Sequence, residues 1–348
     1  MSPTGRTTHA SEILAILAKR STSLEHINLG GKLEDILGKA PSITDQTDLN
    51  DKVDTLKATT PANTKITLIQ GIHVACNRKA THLYVTKTGN TISDLDIETL
   101  STSQTYEVAV GAPSPQAFSP DDKQLYINDI RSTNVWLIDT VAQKVIQGAN
   151  VGSGSMDLTM TPDGKHLLNC GGLANGYLQV IDASNQQLIT TIPTDTNPFA
   201  VTTRPDGSYA YVACWVDNGG TSLSTIQAFD TTTWRLENSI TLRNTVFAME
   251  ANPFNNHLYL VNFTGDEFTV IDTKSYEVVK RIIVANQPES LCVSPDGKYV
   301  YIASFSSIVT VIDTESLQKV EEINTQKNRL RSIAVSPKTG DVFVTYQD

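Results

Sequence analysis

The chain has 348 residues, 39% apolar and 18% charged, with a formal charge of −10 and a pI near 5.1. That acidity, without any Lys/Arg cluster, excludes a surface that tracks nucleic-acid phosphates. No apolar run approaches the roughly 18 residues that a membrane-spanning helix needs.

Residues 1–64 read as a partly helical N-terminal extension. Ile13, Leu14, Ile16 and Leu17 follow helical spacing, as do Leu33, Ile36 and Leu37, and then Leu49, Val53 and Leu56. Gly30-Gly31, Pro41 and Pro61 separate the three stretches. Helices this short are marginal alone, so they are expected to pack on the following domain or to serve self-association through residues 1–64. A basic start followed by an unbroken apolar core is missing, which predicts no secretory signal peptide and favours the cytoplasm.

From Lys65 onward the grammar changes. Ile66–Gln70 reads as an isolated strand, and after it one unit recurs to the end of the chain. Its turn appears as SPDD from Ser119, TPDG from Thr161, RPDG from Arg204, NPFN from Asn252, SPDG from Ser294 and SPKT from Ser336. Prolines 120, 162, 205, 253, 295 and 337 are 42, 43, 48, 42 and 42 residues apart, and a weaker copy starts at Asn77. Around each turn lie an apolar strand, an alternating strand, a third strand ending in Asp (VIDT at 270–273 and 311–314) and a fourth strand. A period of forty-odd residues with four strands is one propeller blade. The fold class is therefore all-β: a seven-bladed β-propeller over residues 65–348, closed by an N-terminal strand.

The last copy ends after two strands, and an open edge there is a pairing hazard. Ile66–Gln70 is expected to complete that blade as its outermost or near-outermost strand. The remaining strand comes from a stretch such as Ser23–Leu29, or is absent.

Equivalent positions in the repeats single out channel residues. Six positions before the turn proline stand Ser114, Met156, Phe199, Phe247, Glu289 and Arg331; five before stand Pro115, Asp157, Ala200, Ala248, Ser290 and Ser332, with His73 as the first-repeat equivalent. Three before, a set of small residues is broken by Glu250. His73, Asp157 and Glu250 are thus expected to line the channel, with Glu289 and Arg331 forming an ion pair at its mouth. Phe247 and Trp215 are expected there as aromatic ligand contacts, Trp215 because it leads into the Gly219-Gly220 insertion of the one period stretched to 48. No cofactor is predicted; a divalent metal held by His73, Asp157 and Glu250 is the exception to test. Cys76, Cys170, Cys214 and Cys292 form no Cys-x-x-Cys pair and read as small structural thiols.

Tyr84-Val85-Thr86, Tyr126-Ile127-Asn128, Tyr211-Val212-Ala213, Tyr259-Leu260-Val261-Asn262 and Tyr301-Ile302-Ala303, with the SPDG turn and the VIDT strand, resemble the YVTN-type β-propeller repeat family. That family includes surface-layer proteins, lactonase-like enzymes and heavy chains of redox enzymes. The leading functional expectation is a binding module that recognises a small molecule or protein partner at the central mouth. The alternative is a lactonase-like hydrolase or a lyase, with His73 or Glu250 as general base and Arg331 steadying an oxyanion. No GxSxG, GxxxxGK or HExxH motif is present.

Overall fold

The computed structural model describes residues 53–56, 64–87, 90–108, 114–129, 131–152, 154–172, 174–218 and 221–347. Seven four-stranded sheets account for 28 strands, and among the described residues there is no helix, hence none able to cross a membrane. The innermost strands of blades 1 to 7 are His73–Cys76, Ser114–Phe118, Ser155–Met160, Pro198–Thr203, Val246–Ala251, Pro288–Val293 and Leu330–Val335. Consecutive innermost strands pack on one another around the ring, from blade 1 back to blade 7.

The second strand of each blade is apolar on both faces because each face meets a neighbouring blade. Its tyrosines (Tyr84, Tyr126, Tyr211, Tyr259 and Tyr301) are all buried. Two polar devices punctuate the unit. In the proline turn the first hydroxyl accepts the N–H five residues on and donates to the turn aspartate: Ser294 Oγ lies 2.9 Å from Tyr299 N and 2.7 Å from Asp296 Oδ1. The Asp that ends the third strand caps the next turn, as Asp230 Oδ1 does by accepting from Thr232 N at 3.0 Å and Thr233 N at 2.7 Å. Its recurrence is therefore structural.

Blade 7 is a composite. From the axis outward it runs Leu330–Val335, Val342–Tyr346, Ile66–Gln70 and Val53–Leu56. Ile66–Gln70 is the near-outermost strand, and it lies parallel to Val342–Tyr346 while the outer pair is antiparallel. Chain direction dictates this. Only Gly71 and Ile72 separate Gln70 from the innermost strand of blade 1, so Ile66–Gln70 must run as an exit strand does. Gly71 is required by contact: a Cβ there would stand 2.7 Å from Val85 Cγ1 and 3.0 Å from Thr86 O. Ile66, Leu68 and Ile69 are fully buried, and Thr64 Oγ1 bonds the Tyr301 hydroxyl of blade 6 at 2.9 Å.

Val53–Leu56 departs from the helical reading of Leu49, Val53 and Leu56: it is the outermost strand, pairing Val53 with Ile69 and Leu56 with Ile66. An edge offering unpaired backbone groups outweighs a one-turn helical pattern. Val53–Leu56 thus fills the place for which a stretch such as Ser23–Leu29 was expected; Ser23–Leu29 itself and the expected helical stretches of Ile13–Leu17 and Leu33–Leu37 lie outside the described residues.

Candidate functional site

A cavity of about 500 Å³ occupies the axis. It is lined by innermost-strand residues, and their aim is set by a recurring irregularity. In blades 3 to 6 the pairing with the second strand skips one residue, which is Met156, Phe199, Phe247 and Glu289 in turn. A β-bulge of this kind re-aims a side chain without ending the ladder. All four residues line the cavity, with Arg331 in the corresponding irregular stretch of blade 7.

The rim so formed has two unlike halves. On blades 4 and 5 the rings of Phe199 and Phe247 stack at 5.7 Å, and Phe247 stacks on Phe263 at 4.5 Å. On blades 6 and 7 Arg331 Nη1 donates to Glu289 Oε1 at 2.8 Å, with only 5% and 4% of the two side chains exposed. Arg331 Nε also donates to Gln347 Oε1 at 3.1 Å, and its guanidinium lies 4.6 Å from the Phe305 ring centre. Burial pushes the Glu289 carboxyl up and the Arg331 guanidinium down, while each opposes the other's shift.

Below the rim, polar side chains stitch one blade to the next. Residues five before the turn accept the edge N–H of the following blade: Asp157 Oδ2 from Val201 N at 2.9 Å, Ser290 Oγ from Ile333 N at 3.4 Å and Ser332 Oγ from Val74 N at 3.3 Å. Asp157 Oδ1 also accepts the N–H of Leu158 at 3.0 Å, so one carboxylate spans two blades. Glu250 does the same from another position, with Val293 N–H as its donor. Asp157 and Glu250 are half-buried in the cavity wall. That enclosure pushes Asp157 up to about 7 and Glu250 up to about 8, against the pull of their backbone donors.

Six residues singled out by repeat position, His73, Asp157, Phe247, Glu250, Glu289 and Arg331, line this one cavity. Trp215 does not. It is buried, pairs with Ser224 in mid-strand, and packs 6.0 Å behind Phe199. The stretched period lengthens the central hairpin of blade 4, Tyr209–Asn218 against Thr221–Asp230, rather than a loop at the mouth. Trp215 therefore does not reach the cavity as the aromatic ligand contact expected of it. His73, Asp157 and Glu250 stand on blades 1, 3 and 5, and among the described residues no three His, Cys, Asp or Glu side chains form a metal-holding group. Two features escaped sequence reasoning: the bulges, which have no composition of their own, and the alanines at Ala200 and Ala248, where the stitching side chain is absent.

No family model matches the chain. It is 27% identical over 276 residues to the seven-bladed beta-propeller protein Rv1057 of Mycobacterium tuberculosis, covering 67% of this chain and 68% of that protein. It is 29% identical over 230 residues to the hydrazine synthase subunit beta of Kuenenia stuttgartiensis, covering 58% of this chain and 53% of that subunit. The chain thus spans about half the length of that second relative. A solved structure of Kuenenia stuttgartiensis hydrazine synthase superposes with a TM-score of 0.69 at 20% identity, over 80% of this chain and 95% of the other. A likeness at that identity concerns the propeller fold alone.

Proposed function

We propose that the protein is a YVTN-type propeller module that binds a small molecule in the axial cavity. The observation that carries this is the series of bulges delivering Met156, Phe199, Phe247 and Glu289 to one concave space of about 500 Å³. Concave sites with an apolar wall and a few placed polar groups are the usual form of small-ligand pockets. The repeat motifs support the YVTN assignment. One relative is a subunit of an enzyme, so a protein partner at the rim is the other occupant to test.

A ligand-observed NMR screen of small fragments tests the reading. Hits on the wild-type chain should vanish for Phe247→Ala and persist for Phe254→Ala, a residue 68% exposed in the blade 5 turn. Hits that survive Phe247→Ala would defeat it, and a screen with no cavity hit would favour the protein partner.

The enzymatic alternative has one supporting observation, the Glu250 carboxyl in the same cavity. With a pKa near 8 it is largely protonated at neutral pH, so it would enter as an acid rather than as the base expected from the sequence. Arg331 is already engaged by Glu289, Gln347 and Phe305. A Glu250→Gln variant that turns over a lactone panel at the wild-type rate would remove Glu250 from any such reaction.

A further inference from the structure

The stitching between blades is interrupted beneath the aromatic half of the rim. Where Asp157, Ser290 and Ser332 bind the next blade, blades 4 and 5 carry Ala200 and Ala248. Strand register turns the N–H of Met249 and of Leu291 to the free inner edge: counting inward from the hydrogen-bonded pairs Asn252–His257 and Ser294–Tyr299, the bonded pairs are Glu250–Tyr259 and Ala248–Val261, and Cys292–Tyr301 and Ser290–Ala303. Neither N–H has a side-chain acceptor among the described residues, whereas the equivalent N–H groups of Val74, Leu158, Val201 and Ile333 all do. Ala248, Met249 and Leu291 line the cavity together with Phe199 and Phe247.

Blade 3 supplies an internal template for what fits. There a carboxyl group, that of Asp157, bridges the N–H groups of Leu158 and Val201 on adjacent blades at 3.0 and 2.9 Å. At the junction of blades 5 and 6 the equivalent donors are Met249 and Leu291, and Ala248 stands in the place of Asp157. We propose that this junction binds the carboxyl group of a small carboxylic acid, its two oxygens taking the N–H groups of Met249 and Leu291 and its flat apolar body lying against Phe199 and Phe247. This rests on the small-molecule reading of the cavity and names the ligand class. The acidic and basic side chains lining the cavity are His73, Asp157, Glu250 and the Glu289–Arg331 pair, and Glu250, next to Met249 in the strand, is raised to about 8. A carboxylate at the junction meets less repulsion once Glu250 holds its proton, so it binds more tightly as pH falls from about 8 to about 6.

Benzoate is the probe, with benzamide as its neutral isostere and benzylamine as its cationic one. Titrated into the ¹⁵N-labelled full chain at pH 6, benzoate should shift the Met249 and Leu291 amides with a Kd in the roughly millimolar range expected of so small a ligand. Benzamide, whose NH2 can only donate, should keep one of the two hydrogen bonds and bind more weakly, and benzylamine should not bind. Ala248→Asp installs the blade 3 bridge and should abolish benzoate binding with no loss of thermal stability. Ala248→Ser, which copies Ser290 and Ser332, should weaken it about fivefold to tenfold and guards against misfolding of the aspartate variant. Unmoved Met249 and Leu291 amides, wild-type affinity in both Ala248 variants, or tighter binding of benzylamine would overturn the assignment. If fragment hits vanish with Phe247→Ala yet persist in both Ala248 variants, the cavity reading stands and the carboxyl site falls.

Discussion

The two halves of the channel mouth share one backbone and differ in a handful of side chains. Blades 6, 7 and 1 are tied by the buried Glu289–Arg331 pair and by Ser290 and Ser332, which take the inner-edge N–H groups of Ile333 and Val74. Blades 4 and 5 carry alanines at the stitching position and phenylalanines at the bulge, which leaves apolar surface above free backbone donors. In a repeat fold the chemistry of the axis is thus written one residue per blade, and a gap in the pattern is as informative as a charge. Stability should depend most on the tied half, and recognition on the bare half.

The largest expected effect breaks the tied half. Arg331→Met leaves Glu289 buried without its partner and should cost about 3 kcal/mol or more by denaturant unfolding. The double variant Glu289→Leu with Arg331→Met should recover most of that loss; a double variant as unstable as the single one would mean that packing, not charge, holds this wall. Next, Phe247→Ala removes a ring from a stack of three and should cost about 2–3 kcal/mol, with loss of fragment binding. Equal stability with binding retained would show that the two halves do not divide the work as described.

A pH series separates the channel carboxyls from the rest. Glu250 has a folded pKa near 8 against an ordinary 4.5, so the folded state holds a proton that the unfolded chain releases earlier. Stability from this group is complete below the unfolded value and is lost as pH rises toward 8. Glu250→Gln should match wild type near about pH 4 and exceed it by of order 1 kcal/mol near about pH 9. Parallel curves for the two proteins would show that channel water keeps the carboxylate solvated. The smallest effect is at a single stitch: Ser290→Ala should cost about 0.5–1 kcal/mol through Ile333 N–H, with fragment binding unchanged.

Much of this was legible in the sequence because repeats make positions comparable. The proline spacing gives the blades, and counting back from each proline finds His73, Asp157, Phe247, Glu250, Glu289 and Arg331 around one space. Trp215 misled because an insertion in a blade can lengthen a hairpin as readily as a loop, and Gly219-Gly220 looks the same in either. Val53–Leu56 misled because its strand partner, Ile66–Gln70, matters more than three apolar residues at helical spacing. The free donors of Met249 and Leu291 had no signature, since a backbone N–H is read only from register and alanine announces nothing.

The most direct test is a crystal structure of the chain soaked with benzoate. Density should lie across Phe199 and Phe247, with both carboxyl oxygens within hydrogen-bond reach of the Met249 and Leu291 nitrogens. Benzoate ordered instead against the Glu289–Arg331 wall, or only outside the cavity, would contradict it.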